Sequence, residues 1–333
     1  MLKIDYRSFI QDNFFIINKE GILIPFKLNE VQNWYYDLLL NEYGEELQGL
    51  RENVLKGRQF GLSTLIEAIF AVDFILSELQ IIPRINSSVY SYTDNDTKAH
   101  TARFDLFLES YLMTDQGATI EDMETTDGKK ARDEFRKAFL SIDNGNYIEG
   151  RRGAQYHSQT ASARVSGRGD TKQNIHWTEP AFYPNTQILS AEDLMTGAEE
   201  QVADGTGKIF RESTGKTRID YFGKEYLAGK DGKTAFKSRF IGWFRHPEYA
   251  KEVPEGWVRP EYYDTVDATD EQCYWHYTKT NGLTSNKKLR EYPTHDHEAF
   301  IAGGTAFFDS DALLAATLKL RSPIKEAEYV SAL

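Results

Sequence analysis

The chain has 333 residues, of which 40% are hydrophobic and 13% aromatic, and a formal net charge of −12 at pH 7. This length and composition suit one large or two modest soluble domains with a sizeable core. The acidic balance excludes a protein that coats nucleic acid through its overall charge, so any DNA contact must come from local basic clusters. Those clusters lie at 129–137, 151–152 and 164–168, and each taken singly reads first as a solvated face. Cys273 is the only cysteine, which leaves no intrachain disulfide or cysteine-based metal site and gives a reducing, cytoplasmic setting. The N-terminus, MLKIDYRSFIQDNFF, lacks the apolar core and cleavage site of a signal peptide. The apolar stretch 65–79 is interrupted by Glu67, Asp73 and Glu78, so no segment is expected to cross a membrane.

In chain order, Asn29 is expected to cap a helix through Val31, Trp34, Tyr35 and Leu38, which share one apolar face. Residues 52–56 read as a short strand entering Lys56-Gly57-Arg58-Gln59-Phe60-Gly61-Leu62-Ser63-Thr64. This is a phosphate-binding loop with its lysine at the opposite end from usual. In the common form, G-x-x-x-x-G-K-[ST], backbone N–H groups cradle phosphates, the Lys reaches the β/γ-phosphates and the hydroxyl binds Mg²⁺. Here Gly61 and Ser63 hold the second-glycine and hydroxyl positions, Leu62 fills the lysine slot, and Lys56 stands where the first glycine would be. Leu65, Ile66, Ile69, Phe70 and Phe74 then recur at helical period, completing strand, loop and helix.

Residues 85–92 read as a strand, Asp94 as the cap of a helix to about Leu112, and the polar, acidic stretch 113–131 as a loop. Short β-like pieces follow between 139 and 165 (FLSID, YIEGR, AQYHS). Residues 173–178 and 208–212 are candidate buried strands, and 310–320 a final helix. Strands alternating with helices argue for an α/β fold with a mainly parallel sheet and right-handed crossovers. There is no internal repeat or low-complexity stretch.

An NTPase also needs an apolar strand ending in acidic residues, one for the Mg²⁺ shell and one to orient and deprotonate water. Ile175-His176-Trp177-Thr178-Glu179 fits, with Glu179 in the catalytic place and Thr178 where Asp is expected. A lone Glu after a strand is more often a surface residue; the upstream loop is what gives this one a function. Glu212-Ser213-Thr214, closing the apolar pair Ile209-Phe210, lies where the carboxyl ends of a parallel sheet meet a ligand.

KGRQFGLSTL, IHWTEPAFYPN and FREST, in this order, resemble the ATPase domain of phage terminase large subunits, the motors that package double-stranded DNA into preformed capsids. GWFRHPEYAKEV and REYPTHDHEAFIAGGTAFFD are similar to the family's segment joining the ATPase to its nuclease, so the resemblance spans roughly residues 25–310. It implies a RecA-like P-loop NTPase at 1–245, followed by a lid/linker region at 246–333, with ATP and Mg²⁺ as cofactors. Loop residues 56–64 would bind ATP. Lys56 would neutralise the β/γ-phosphates from the far side of the loop, Arg58 would contact the γ-phosphate or sense hydrolysis, and Ser63 would hold Mg²⁺. Thr178 would reach that metal through water. Glu179 would be the base, and Glu212-Ser213-Thr214 would couple hydrolysis to motion. Gln32 would read adenine, or else is a solvent-facing helical Gln. Arg168 would be a finger reaching the neighbouring subunit's nucleotide, or else a hairpin arginine near DNA or solvent.

The implied partners are double-stranded DNA, a portal protein, a small terminase subunit and further copies in a ring, by family pattern a pentamer. The ring would sit transiently on the procapsid in the host cytoplasm and be absent from the mature virion. Leu62 and Thr178 depart from the common pattern, each removing a charge beside the nucleotide. They leave open a nucleotide-binding scaffold without efficient turnover, while a helicase-like translocase shares the loop and acidic motifs. Asp309 and Asp311 alone cannot form a two-metal cluster, so nuclease activity is not expected from what would be a truncated or ATPase-only form.

Overall fold

The computed structural model describes residues 4–161, 171–186 and 189–300. Helix α1 (Tyr6–Asn13) and the hairpin β1 (Phe15–Ile17) and β2 (Leu23–Pro25) lead into α2 (Glu30–Tyr43), β3 (Arg51–Lys56) and α3 (Leu62–Glu78). Then come β4 (Asn86–Ser91), α4 (Asp94–Asp115), α5 (Ile120–Glu124), α6 (Thr126–Phe139), β5 (Leu140–Asn144), β6 (Tyr147–Gly150), β7 (Gln155–Thr160) and β8 (Asn174–Thr178). The chain continues through α7 (Ala191–Glu199), β9 (Lys208–Ser213), α8 (Tyr221–Lys230), β10 (Lys237–Ile241), α9 (Asp270–Thr280), α10 (Ser285–Glu291) and α11 (Asp296–Ala299).

The main sheet runs in the order β10-β3-β9-β8-β4-β7-β6-β5, parallel from β10 to β7 and antiparallel at β6 and β5. It is thus the mainly parallel α/β sheet that the alternation of elements predicts. The strand before the phosphate loop, β3, and the strand ending at Thr178, β8, are not neighbours; β9 lies between them.

Asn29 caps α2 as predicted, and its capping box with Gln32 satisfies two end groups reciprocally. At α4 the cap is Thr93, which accepts from Asp96 N–H at 3.2 Å, and Asp94 is the first helical residue. The stretch 113–131, read as a loop, instead holds the end of α4, all of α5 and the start of α6. Its helices are started by side-chain caps, Thr119 in a capping box with Asp122 and Thr125 on Gly128 N–H. Met123 is the only buried residue of α5 and Gly128 the only one of α6, so there was almost no apolar stripe to read. The final helix expected at 310–320 lies outside the described residues.

Helix α3 is the centre of the molecule, buried along nearly its whole length. The three acids that interrupt its apolar run are each satisfied. Glu67 pairs with Arg103 (2.8 Å) and His100. Asp73 accepts from Tyr6 Oη (2.6 Å), Lys208 Nζ (2.8 Å) and Asn174 Nδ2 (2.9 Å). Glu78 accepts the backbone N–H groups of Arg152 (2.8 Å) and Ala154 (2.9 Å). They are therefore brackets, Glu67 to α4, Asp73 to α1, β8 and β9, and Glu78 to the turn before β7, since a buried charge is tolerated only when paired and hydrogen-bonded. The described residues contain no helix long and apolar enough to cross a membrane.

Removing Asp73 strands the buried Lys208 ammonium. Asp73→Ala is expected to destabilise the fold by about 3–5 kcal/mol in urea unfolding; a loss below about 1 kcal/mol, the range of an exposed pair, would contradict the bracket.

Candidate functional site

The loop after β3 is anchored from the C-terminal region. Gly57 N–H donates to Ile241 O (3.0 Å), Arg58 N–H donates to Glu291 O (3.1 Å), and Tyr249 Oη donates to Arg58 O (2.8 Å). Phe60 is buried, with its ring 5.8 Å from His246 and 6.2 Å from Tyr249. Gln59 (φ 63°) and Gly61 (φ 73°) take left-handed conformations that turn the chain back into α3. Gly61 is the N-cap of α3 and brings no side-chain cap, so the first-turn N–H groups and the positive helix end face the loop. This is the arrangement that binds phosphate.

Gln32 sits beneath that turn. Its Nε2 donates to Gly61 O at 2.8 Å and its Oε1 accepts from Asn29 N–H at 2.9 Å. It is buried, not solvent-facing, with both ends of its amide engaged; an adenine contact requires it to exchange a bond. Leu62 is buried in the core and Thr64 is half-buried on the first turn of α3.

Because β9 lies between β3 and β8, Glu212 is in register with Val54 on one side and Thr178 on the other. Its carboxylate lands at the end of the phosphate loop. Lys56 Nζ is 3.0 Å from Glu212 Oε2 and 3.1 Å from Glu179 Oε1, and Ser63 Oγ donates to Glu212 Oε1 at 2.6 Å. His176 Nε2 lies 3.3 Å from the same oxygen. The other oxygen of Glu179 accepts from Thr214 N–H (2.9 Å), Thr214 Oγ1 (3.0 Å) and Ser213 Oγ (3.2 Å). Glu179 itself is left-handed (φ 54°, ψ 44°), which costs a non-glycine residue about 1–2 kcal/mol. That turn aims the carboxylate back over the strand end.

Burial favours neutral Lys56, but Glu212 and Glu179 outweigh it and hold the ammonium's pKa above the ordinary lysine value. Burial also raises the pKa of Glu212, and Lys56, His176 and Ser63 reverse this, holding the carboxyl well below the ordinary glutamate value. The site is a closed set of one cation and two anions.

Beside it opens a cleft of about 430 Å³, lined by Ser63, Thr178, Glu179 and Thr214 on the sheet side and by His100 and Arg103 of α4 opposite. The sequence reading therefore brought together Lys56, Ser63, Thr178, Glu179, Glu212, Ser213 and Thr214. Arg58 is largely exposed and paired with Glu291 (2.5 Å) at the rim, and Arg168 lies outside the described residues. The reading missed His176, His100, Arg103, Arg290 and Glu291. For His176 a signal existed, since alternation along β8 puts it on the face of Thr178; the others reach the cleft by tertiary packing. Of the basic clusters, Arg136 is spent on Asp105 (2.9 Å), Glu109 (2.8 Å) and Asp143 (2.5 Å), and Arg132 on Glu109 (3.3 Å).

No family model matches the chain, and no curated protein does. Among solved structures, the HK97 bacteriophage large terminase is similar at 10% identity and a TM-score of 0.50, over 87% of this chain and 54% of that one. The large terminase ATPase domain of Thermus phage P74-26 is similar at 13% identity and a TM-score of 0.44, over 76% and 91% of the two chains. The large terminase of another thermophilic bacteriophage, solved with ADP, is similar at 12% identity and a TM-score of 0.32, over 58% and 40%. The chain is thus similar in fold to a phage large terminase, a P-loop NTPase with a mostly parallel sheet flanked by helices. The chain spans about half the length of the HK97 terminase, and at this identity the likeness concerns the fold alone.

Glu212's depressed pKa makes its stabilising contribution present above about pH 4.5 and lost as the pH falls from there toward its folded value. The stability gap between wild type and Glu212→Gln, measured by urea unfolding from pH 7 to pH 3, is expected to narrow on acidification. A gap that does not change with pH would contradict a charged, paired Glu212.

Proposed function

We propose that this chain is the ATPase motor domain of a viral large terminase subunit, which hydrolyses ATP to drive double-stranded DNA into a procapsid. The observation that supports it is the convergence of Lys56, Ser63 and Glu179 at the carboxyl end of a parallel sheet, beside an uncapped helix start. Terminase-like sequence motifs and a terminase-like fold point the same way.

In this reading the N–H groups of α3's first turn receive the phosphates, and Lys56 moves its charge from Glu212 and Glu179 onto the β/γ-oxygens. Glu179 then has Oε1 free to take a proton from water, while Oε2 stays on Ser213 and Thr214. Any change at the base is thereby passed to the end of β9, which is how Glu212-Ser213-Thr214 would couple hydrolysis to motion. Ser63, with Thr178 through water, would hold Mg²⁺, which would supply positive charge to the phosphate oxygens. Arg58, at the loop's rim, would leave Glu291 for the γ-phosphate, and Gln32 would exchange its Gly61 bond for adenine. In the motor the chain would form a ring with its copies, a pentamer in the family pattern, and work with a portal protein and a small terminase subunit in the host cytoplasm.

A nucleotide-binding scaffold without turnover is the second reading, favoured by a lysine already paired to two carboxylates. Steady-state ATPase assays separate the two. Glu179→Gln is expected to lower hydrolysis by ~10²–10⁴-fold, the usual worth of a general base, while leaving ATP binding in place. Equal, slow hydrolysis by both proteins would defeat the motor reading.

Arg168 as a finger in trans would add ~10³–10⁵ in rate. Mixing Arg168→Ala with Glu179→Gln subunits is expected to restore activity that neither has alone, because one mixed interface keeps both groups. No recovery at any mixing ratio would count against a shared site.

A further inference from the structure

We infer that Glu212 supplies the metal-site carboxylate that Thr178 lacks, so that Mg²⁺ binds this protein through Ser63 and Glu212. The inference rests on the ATPase reading above and deepens it.

The register of the sheet carries the first part of the argument. Thr178 on β8 and Glu212 on β9 are direct partners in a parallel pair. Register partners on neighbouring strands stand about 4.8 Å apart with side chains on the same face. His176, two residues before Thr178 and on its face, confirms the side by meeting Glu212 at 3.3 Å. Phe70 of α3 touches both His176 and Phe210, the residue two before Glu212, so this is the face that α3 covers and that Ser63 terminates. The negative charge missing from the end of β8 is displaced by one strand.

Distance carries the second part. Mg²⁺ holds its ligands at 2.0–2.1 Å in a near-octahedral shell, which puts adjacent ligand oxygens about 2.9 Å apart. Ser63 Oγ and Glu212 Oε1 are now 2.6 Å apart, joined by a hydrogen bond. A shift of a few tenths of an ångström lets both enter one shell, with the Ser63 hydroxyl proton turned away. Glu212 is fully buried, and its Oε2 is paired with the Lys56 ammonium at 3.0 Å. Phosphates that draw Lys56 away leave the buried Glu212 carboxylate without its counter-charge, which a cation at Oε1 restores. His176 Nε2, 3.3 Å from the same Oε1, helps to hold the carboxylate in place.

The described residues contain no group of three or more His, Cys, Asp or Glu able to hold a metal. Mg²⁺ does not need one, because it is usually bound by one or two protein ligands with phosphates and waters completing the shell. The site should therefore take Mg²⁺ only with nucleotide, and Mg²⁺ should tighten nucleotide binding through Glu212.

The test is ATPγS affinity by calorimetry, in Mg²⁺ and in EDTA, for wild type, Glu212→Gln and the double variant Thr178→Asp/Glu212→Gln. Thermal melts check that each is folded. Wild type is expected to bind more tightly with Mg²⁺. Glu212→Gln, which keeps the shape and removes the charge, is expected to lose at least ~10-fold of that enhancement, while binding in EDTA holds or improves because Lys56 has lost a competitor. The double variant, with the carboxylate returned to β8, is expected to regain the enhancement. A Mg²⁺ enhancement in Glu212→Gln within twofold of wild type overturns the inference and leaves the ATPase reading standing. Absence of ATPγS binding by wild type in both conditions overturns the reading itself, and the inference with it.

Discussion

A buried lysine placed between two carboxylates organises this molecule. Lys56 ends the strand that enters the phosphate loop, and its side chain is only 10% exposed. An ammonium taken that far from water has to be paired, because its desolvation is repaid only by close opposite charge. Glu212 and Glu179 do this from two different strand ends, and both contacts need β9 inserted between β3 and β8. The strand order, the left-handed turn at Glu179 and the clamp of Ser213 and Thr214 on its second oxygen together meet that requirement.

The same pairing ties the site together. The groups that would meet a nucleotide are bonded to one another: Lys56 to two acids, Ser63 to Glu212, Gln32 to Gly61, and Arg58 to Glu291. A ligand entering here exchanges bonds within a preformed frame. On the sheet side α3 is held by Asp73 and Glu78, and Glu67 ties it to α4. On the other side the frame is an aromatic cluster, with Tyr249 stacked on Trp275 at 4.0 Å and on His246 at 4.2 Å, and the loop's Phe60 beside them. The region after residue 245 thus touches the phosphate loop directly, and any movement there reaches Arg58 through Glu291 and Tyr249.

The acidic surface and the spent arginines bear on how such a domain would meet DNA. Arg132 and Arg136 are neutralised by acids of α4 and by Asp143, so the sequence cluster at 129–137 offers less free positive charge than its composition suggests.

Much of this was legible in the chain alone. Local, short-range signals sufficed for the α/β class, the Asn29 cap, the strand–loop–helix around 56–64 and the edge of β8 at Thr178-Glu179, because each is a matter of periodicity and neighbouring residues. The helices of 113–139 were missed because their buried faces are almost empty and their caps resemble loop residues. The sequence alone also showed that Lys56 had left its usual place and that Thr178 had replaced an acid. It did not show which carboxylate stands beside Thr178. Glu212 read as part of a coupling tripeptide, and His176, Arg103 and Glu291 had no pattern at all. Those assignments depend on which strands become neighbours and in what register, and the order of β3, β9 and β8 is set by packing among elements far apart in the chain. The sequence determined the chemical groups; the register of β9 decided which of them meet.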